Sequence, residues 1–528
     1  MNKQSGPSEA HWNRPKGAGG PVKPGLFIFA AILFLAVIVA PVPQSLLGLV
    51  RESRPIGYRL QHGCNTITES VGGLLGADLS VPQVARKAKV MIAILFLAAF
   101  LWGTETIPLG ATDLLVGSLL YLFAILPLDS ISKAYMKDAV FFIFGVLALA
   151  AGVSKTGLDR RIAMLLVRSV KGIKSLCFVF FPVLSLCAAF FSEHALMAIL
   201  VPVLCVMYRA ACDASGLKQD KPLALLLILG TCFALNQGGP GSPAAGGRNS
   251  VMVGYLKDFG HPILFDQWMR YAMPYVLVVS FATGLFMFVM FRRSIQAKVD
   301  FTGLVKKEIG RTGKMSRQEL AMSAIFLTVI TLWLTASRQF GLGGPSIFGL
   351  VLMLISGILD WKDVQTRVRL DVVGLYAAAC AIGVGLKTTG AALWLARTAI
   401  GILPEALQHG DSLIVVVSVF TGTMTNLMSD GATVAAVGPV ALSMAEVADV
   451  HTWKIGLACA FSSSFANALI VGTPNNAIAY VGAVDPETGE RLVTLKDFMK
   501  YGIPMTILAW LVLWGSTTFG YWKLMDWP

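Results

Sequence analysis

Apolar runs close to the length of a bilayer crossing, separated by short polar or basic stretches, recur from residue 26 to the C-terminus. A helix rising 1.5 Å per residue needs about 20 apolar residues to cross ~30 Å of hydrocarbon. The runs at 26–42, 88–103, 107–127, 138–154, 222–236, 271–291, 319–336, 343–359, 370–387, 454–471 and 503–522 predict about 11 transmembrane helices. Two further apolar stretches, 175–207 and 412–446, carry polar residues at their centres. These are Phe191-Ser192-Glu193-His194 and Thr425-Asn426-Leu427-Met428-Ser429-Asp430-Gly431. A spanning helix would strand such residues in hydrocarbon, whereas a re-entrant hairpin buries its tip in protein or a wet cavity. The pattern predicts an all-α integral membrane protein with two re-entrant helical hairpins.

The polar landmarks repeat. Gly157 follows Ser154-Lys155-Thr156, Ser192 opens the first tip, Pro202 lies ten residues on, and Asn249 closes an interrupted segment. Gly390 follows Lys387-Thr388-Thr389, Ser429 opens the second tip, Pro439 lies ten residues on, and Asn476 closes its own interrupted segment. An odd number of crossings separates the two series, so they predict inverted-repeat halves, the usual build of secondary transporters. The divisions expected are a disordered cytoplasmic tail at 1–24, and a first transmembrane helix and loop at 25–87. A first repeat follows at 88–291, with its hairpin at 175–207 and broken helix at 222–250. A basic cytoplasmic linker at 292–318 leads to the second repeat at 319–528, with hairpin 412–446 and broken helix 454–480.

Composition agrees: 55% of residues are hydrophobic and only 14% charged, against about 25% charged in soluble chains. The net charge of +13 is spread over short inter-helix segments and forms no nucleic-acid patch. Residues 292–317 hold eight Lys/Arg against Asp300 and Glu308, and 159–174 hold Arg160, Arg161, Arg168, Lys171 and Lys174 against Asp159. Basic loops stay on the cytoplasmic side. The expectation is a multi-pass protein of the cell inner (plasma) membrane with its N-terminus cytoplasmic and its C-terminus external. The eight cysteines include no CxxC pair and read as small buried apolar residues. The chain carries no P-loop, HExxH or GxSxG, so no ATP engine is expected and a membrane-embedded hydrolase is only a distant alternative. Ser192-Glu193-His194 imitates a nucleophile set, but adjacent residues on a tip cannot adopt triad geometry.

Two segments interrupt apolar helices: Asn236-Gln237-Gly238-Gly239-Pro240-Gly241-Ser242-Pro243 and Val471-Gly472-Thr473-Pro474-Asn475-Asn476. Proline removes a backbone donor and glycine permits unusual dihedrals, so backbone groups are freed at membrane depth. Freed N–H groups suit an anion, and freed carbonyls suit Na⁺.

With Trp102-Gly103-Thr104-Glu105-Thr106-Ile107-Pro108-Leu109 and Trp361-Lys362-Asp363-Val364, the tips and breaks resemble the divalent anion:sodium symporter family from about residue 88 to the C-terminus. The resemblance implies an elevator-type secondary transporter, a homodimer in the lipid bilayer. Its cargo would be a small anion, a di- or tricarboxylate such as succinate, malate or citrate, coupled to Na⁺ and/or H⁺ and needing no cofactor. Sulfate transport, or anion exchange without cation coupling, is the alternative. By position, Ser192 and Ser429 match tip serines that contact a substrate carboxylate. Gly238, Gly239, Gly241, Ser242 and Asn249 match the first break, and Thr473, Pro474, Asn476, Ala477 and Ile478 the second. Thr425 matches a residue of the second sodium site, and Ser192, Glu193, Gly239, Thr425, Met428, Asp430 and Ala468 are the candidate Na⁺ ligands.

The departures are chemical. Glu193 and Asp430 replace the family's tip asparagines, His194 and Gly431 its tip threonines, Gly247-Arg248 a Pro-Pro pair, and Asn475 a proline. His194, Arg248, Asp430 and Gly431 therefore join Ser192, Glu193, Ser242, Asn249, Ser429, Thr473, Pro474 and Asn476 as candidate substrate residues. Intramembrane charge is costly and marks function. Three readings stand: the acids carry protons, they bind Na⁺ more strongly than an amide would, or Glu193 forms a structural pair with His194 or Arg248. Arg248 suits either a substrate carboxylate or sulfate, or a tip acid. Glu105 and Asp113, flanking the Ile-Pro break, are expected in a structural role at an interface.

Overall fold

The computed structural model describes residues 22–53, 58–61, 66–69, 79–298 and 314–528. Most of the expected tail and the middle of the basic linker lie outside them. The first helix, Pro24–Val39, starts with proline in its first turn and bends by 63° into Gln44–Glu52. The chain is not wholly helical. Tyr58–Gln61, Thr66–Glu69 and Leu79–Ser80 form a three-stranded antiparallel sheet, pairing Arg59 with Thr68 and Ile67 with Leu79. Alternating residues such as Thr66-Ile67-Thr68-Glu69 favour a pleated strand over a helix.

From Val81 onward one order of elements occurs twice. Val81–Thr104, Leu109–Leu122, Leu128–Tyr135, Asp138–Thr156 and Leu158–Val167 are followed later by Arg317–Phe340, Gly343–Ile355, Trp361–Arg367, Leu370–Thr389 and Ala391–Ile402. The fourth helix of each series ends at a left-handed glycine, Gly157 and Gly390, both at φ +78°, a conformation that costs any other residue. Each series continues into a hairpin. In the first, Ile173–Ser175 runs through a π-helical turn into Phe181–Ala188 and returns as Glu193–Ala214. In the second, Asp411–Leu427 returns as Asp430–Val447.

The broken helices come next. Lys221–Gly238 passes through a 3₁₀ turn and an irregular stretch into Gly247–Asp258. Its counterpart, Thr452–Ser462, is separated from Pro474–Gly482 by eleven irregular residues, 463–473. The spanning helix expected at 454–471 therefore stops at Ser462. The long helices Phe265–Phe291 and Leu495–Val512 close the two series. Seven helices are long and apolar enough to cross a membrane, or eight with the bent first pair, among the described residues. The runs at 107–127 and 343–359 form the shorter helices Leu109–Leu122 and Gly343–Ile355.

The two series interlock. Leu109–Leu122 packs on Leu370–Thr389, and Gly343–Ile355 on Asp138–Thr156. The return arm Glu193–Ala214 packs on Pro474–Gly482, and Asp430–Val447 on Gly247–Asp258. Each hairpin tip thus meets the break of the other series. Ion pairs also join the series, Lys155 with Asp363 at 2.5 Å and Arg161 with Glu319 at 2.9 Å. Asp113 is buried and accepts a 3.0 Å hydrogen bond from the Trp102 indole, where Leu109–Leu122 faces Leu370–Thr389.

Candidate functional site

The tips are held by their own serines. Ser192 caps Glu193–Ala214 and accepts from the Ala195 N–H; Ser429 caps Asp430–Val447 and accepts from the Ala432 N–H. A capping serine starts each return arm, which places the next residue, Glu193 or Asp430, in the first turn with its carboxylate at the positive end of the helix dipole.

The breaks are held by asparagines. Asn249 Nδ2 donates to the carbonyls of Gly239 at 2.8 Å and Ser242 at 2.7 Å, ten and seven residues earlier. Asn476 Nδ2 donates to those of Ala466 at 2.6 Å and Leu469 at 2.7 Å, again ten and seven residues earlier. Each asparagine replaces the helical ladder that glycine and proline remove, and so fixes the residue before it, Arg248 or Asn475.

Arg248 is 2% exposed. Its Nη1 donates to Glu193 Oε1 at 3.0 Å and also to Asp430 Oδ2, so one guanidinium joins the two tips. Of the sequence alternatives for Arg248, the tip acids are what it contacts here. Gly239 lets it in: a Cβ on that residue would lie 1.6 Å from Arg248 Nη2 and 3.3 Å from Glu193 Oε2. A fixed positive charge thus stands between Gly239 and Glu193. On the other side, His194 Nδ1 meets Asn475 Oδ1 at 2.8 Å, and Asn475 Nδ2 donates to Asn236 Oδ1 at 2.9 Å. His194 contacts Asn475 rather than Glu193, and Ser192 is engaged as a cap, so no Ser–His nucleophile pair forms.

Glu193, Arg248, Asp430 and Thr473 line one small cleft with Asn236, Ser463, Ser464 and Ala466. Among the described residues, buried polar atoms without a hydrogen-bond partner concentrate here: Glu193 Oε2, Arg248 Nε and Nη2, and Ser464 Oγ in the cleft, with Gln237 Nε2 and Asn249 Oδ1 beside it. Such atoms are costly unless a ligand or water meets them, and their clustering marks a binding site. Thr425 lies one layer away, donating to the Ser463 carbonyl at 2.6 Å, and Ala468 N–H donates to Asn426 Oδ1 at 3.0 Å. Met428 instead packs against Gly103. Ser242 turns its hydroxyl to the Ala189 carbonyl, Pro474 opens Pro474–Gly482, and Gly431 lies against Tyr376. Ser463, Ser464 and Tyr376 had not been singled out. The Ser462-Ser463-Ser464 run inside an apolar stretch was a usable signal; a lone tyrosine in an apolar helix was not.

Residues 79–527 match the family model described as sodium:sulfate symporter transmembrane region, and the chain belongs to that family. It is a membrane transporter and not an enzyme. The sodium-dependent dicarboxylate transporter SdcS of Staphylococcus aureus (strain NCTC 8325 / PS 47) is 25% identical over 456 residues, covering 81% of this chain and 85% of the relative. The fold is similar to that of MtrF of Neisseria gonorrhoeae, described as one of a class of antimetabolite efflux pumps (TM-score 0.54, 11% identity, 94% of this chain and 96% of that one). It is also similar to the Alcanivorax borkumensis YdaH transporter (TM-score 0.52, 14% identity, 96% and 99%).

Proposed function

As a member of the sodium:sulfate symporter family, this chain is, we propose, a cation-coupled secondary transporter of a small divalent anion, a dicarboxylate of the succinate class. The observation that carries the reading is Arg248, buried between both tips with Nε and Nη2 unpartnered. A planar guanidinium with free donors suits a carboxylate. The likeness to a sodium-dependent dicarboxylate transporter supports both the substrate class and the cation.

Charge supports coupling. Glu193, Asp430 and Arg248 sum to −1 when all are ionised, and a doubly charged anion beside them gives −3. In a buried site such an excess is prohibitive unless cations enter with it. Na⁺ suits the oxygens around Thr425 and Ser463. An H⁺ entering with the anion, carried by Glu193 or Asp430, is the second route to that balance.

The alternating access we propose is an elevator movement. The hairpins and broken helices, which pack on one another, would carry the cleft past the remaining helices in a homodimer of the inner (plasma) membrane. The N-terminus would be cytoplasmic and the C-terminus external. The two element series would be halves of opposite topology. Uptake of labelled succinate, citrate and sulfate into proteoliposomes under separate Na⁺ and H⁺ gradients tests the reading. Accumulation of a dicarboxylate under either gradient supports it, and no accumulation of any of the three under either gradient overturns it.

A further inference from the structure

Tyr376 belongs to Leu370–Thr389, a helix that packs on Leu109–Leu122 and lies outside both hairpins and both breaks. It is 6% exposed. A Cβ on Gly247 would lie 1.8 Å from its hydroxyl oxygen, and a Cβ on Gly431 would lie 2.7 Å from it. Gly247 immediately precedes Arg248, and Gly431 immediately follows Asp430. The phenol oxygen therefore sits over the junction where the guanidinium meets the second tip, and it reaches that place only because neither flanking residue has a side chain. Among the described residues no hydrogen bond engages the hydroxyl. A tyrosine O–H beside charged groups usually finds a partner.

The second tip carries no hydroxyl after its acid, since that position is Gly431. Tyr376 delivers one from another helix to within 2.7 Å of where the side chain of residue 431 would begin. Resting on the transport reading above, we propose that the Tyr376 hydroxyl is a substrate ligand of this site. While the cleft stands beside Leu370–Thr389, as in this structure, the hydroxyl donates a hydrogen bond to the anion carboxylate held by Arg248, in place of a side chain on the tip itself.

The test is uptake kinetics of labelled succinate into proteoliposomes for Tyr376→Phe, Tyr376→Ala, Gly431→Thr and the double change Tyr376→Ala with Gly431→Thr. A hydrogen bond to a charged group predicts a KM raised about 10- to 100-fold in Tyr376→Phe, with turnover changed less. Gly431→Thr alone collides with the phenol and loses uptake. The double change, which clears the ring and returns a hydroxyl to the tip, regains at least part of the affinity that Tyr376→Ala loses. An unchanged KM in Tyr376→Phe overturns the proposal while leaving the transport reading intact. So does failure of that isosteric variant to purify as a folded protein, which would make the hydroxyl structural. Absence of uptake by the unmutated protein overturns both.

Discussion

Asn249 and Asn476 bind the carbonyls ten and seven residues behind them with the same amide nitrogen, at 2.6–2.8 Å in all four bonds. The equivalence makes Arg248 and Asn475 counterparts, each facing a hairpin tip of the opposite series. The site is therefore built twice in backbone and differs in side-chain charge.

Replacing either asparagine by alanine leaves two buried carbonyls without their donor. Each change is expected to destabilise the protein by about 1–3 kcal/mol, and Asn476→Ala by the larger amount, because Asn476 Oδ1 also accepts from Asn236 Nδ2 at 3.3 Å. Thermal melting of the purified variants checks this, and tolerance of one change but not the other would contradict the equivalence.

Arg248→Ala leaves Glu193 and Asp430 buried without their shared partner. Removing one member of a buried ionic cluster costs ~3–5 kcal/mol, and uptake is expected to fall at least 100-fold. Arg248→Lys keeps the charge but loses the fork, so it is expected to recover stability more than transport. Melting curves set beside initial uptake rates separate the two.

Gly239→Ala places a methyl 1.6 Å from Arg248 Nη2. The guanidinium has to move, and overpacking of this kind costs about 1–3 kcal/mol. The expected outcome is a folded protein with a KM raised about 10-fold, as the displaced fork loses one charge-assisted hydrogen bond. An unaltered KM would mean that Arg248 is not positioned by this glycine.

Asp363, in Trp361–Arg367, pairs with Lys155 and Arg367. Partial burial pushes its carboxyl up, but the Asp360 backbone N–H, Lys155 and Arg367 outweigh that and hold it at about 2. A depressed folded value means the stabilisation is present above the ordinary carboxylate range and is lost as pH falls towards 2. Asp363→Asn is therefore expected to lower the melting temperature at pH 7 and by less at pH 3. An equal deficit at both would point to lost packing instead.

The hairpins were legible because polar residues inside apolar runs have few physical outcomes. Ser192 and Ser429 sit at the helix starts where their positions in the runs put them. The breaks were legible because Gly and Pro cannot continue a helix. The shared contact of Arg248 was less so, since sequence alone left it to substrate or to either acid. Which partner is near depends on how the two series interlock. Tyr376 was silent, because within Leu370–Thr389 an aromatic residue reads as core. The run at 454–471 reads as one span in the sequence, but from residue 463 it supplies irregular backbone to the cleft. The sheet of Tyr58–Gln61, Thr66–Glu69 and Leu79–Ser80 was missed because its strands are short and sit beside long apolar runs.

The most direct measurement is accumulation of labelled succinate in proteoliposomes holding the unmutated protein or Arg248→Ala, under an inward Na⁺ gradient, an inward H⁺ gradient, or neither. The account predicts accumulation above equilibrium with at least one gradient, none without, and none for folded Arg248→Ala. Accumulation that ignores both gradients, or that survives the loss of Arg248, would contradict it.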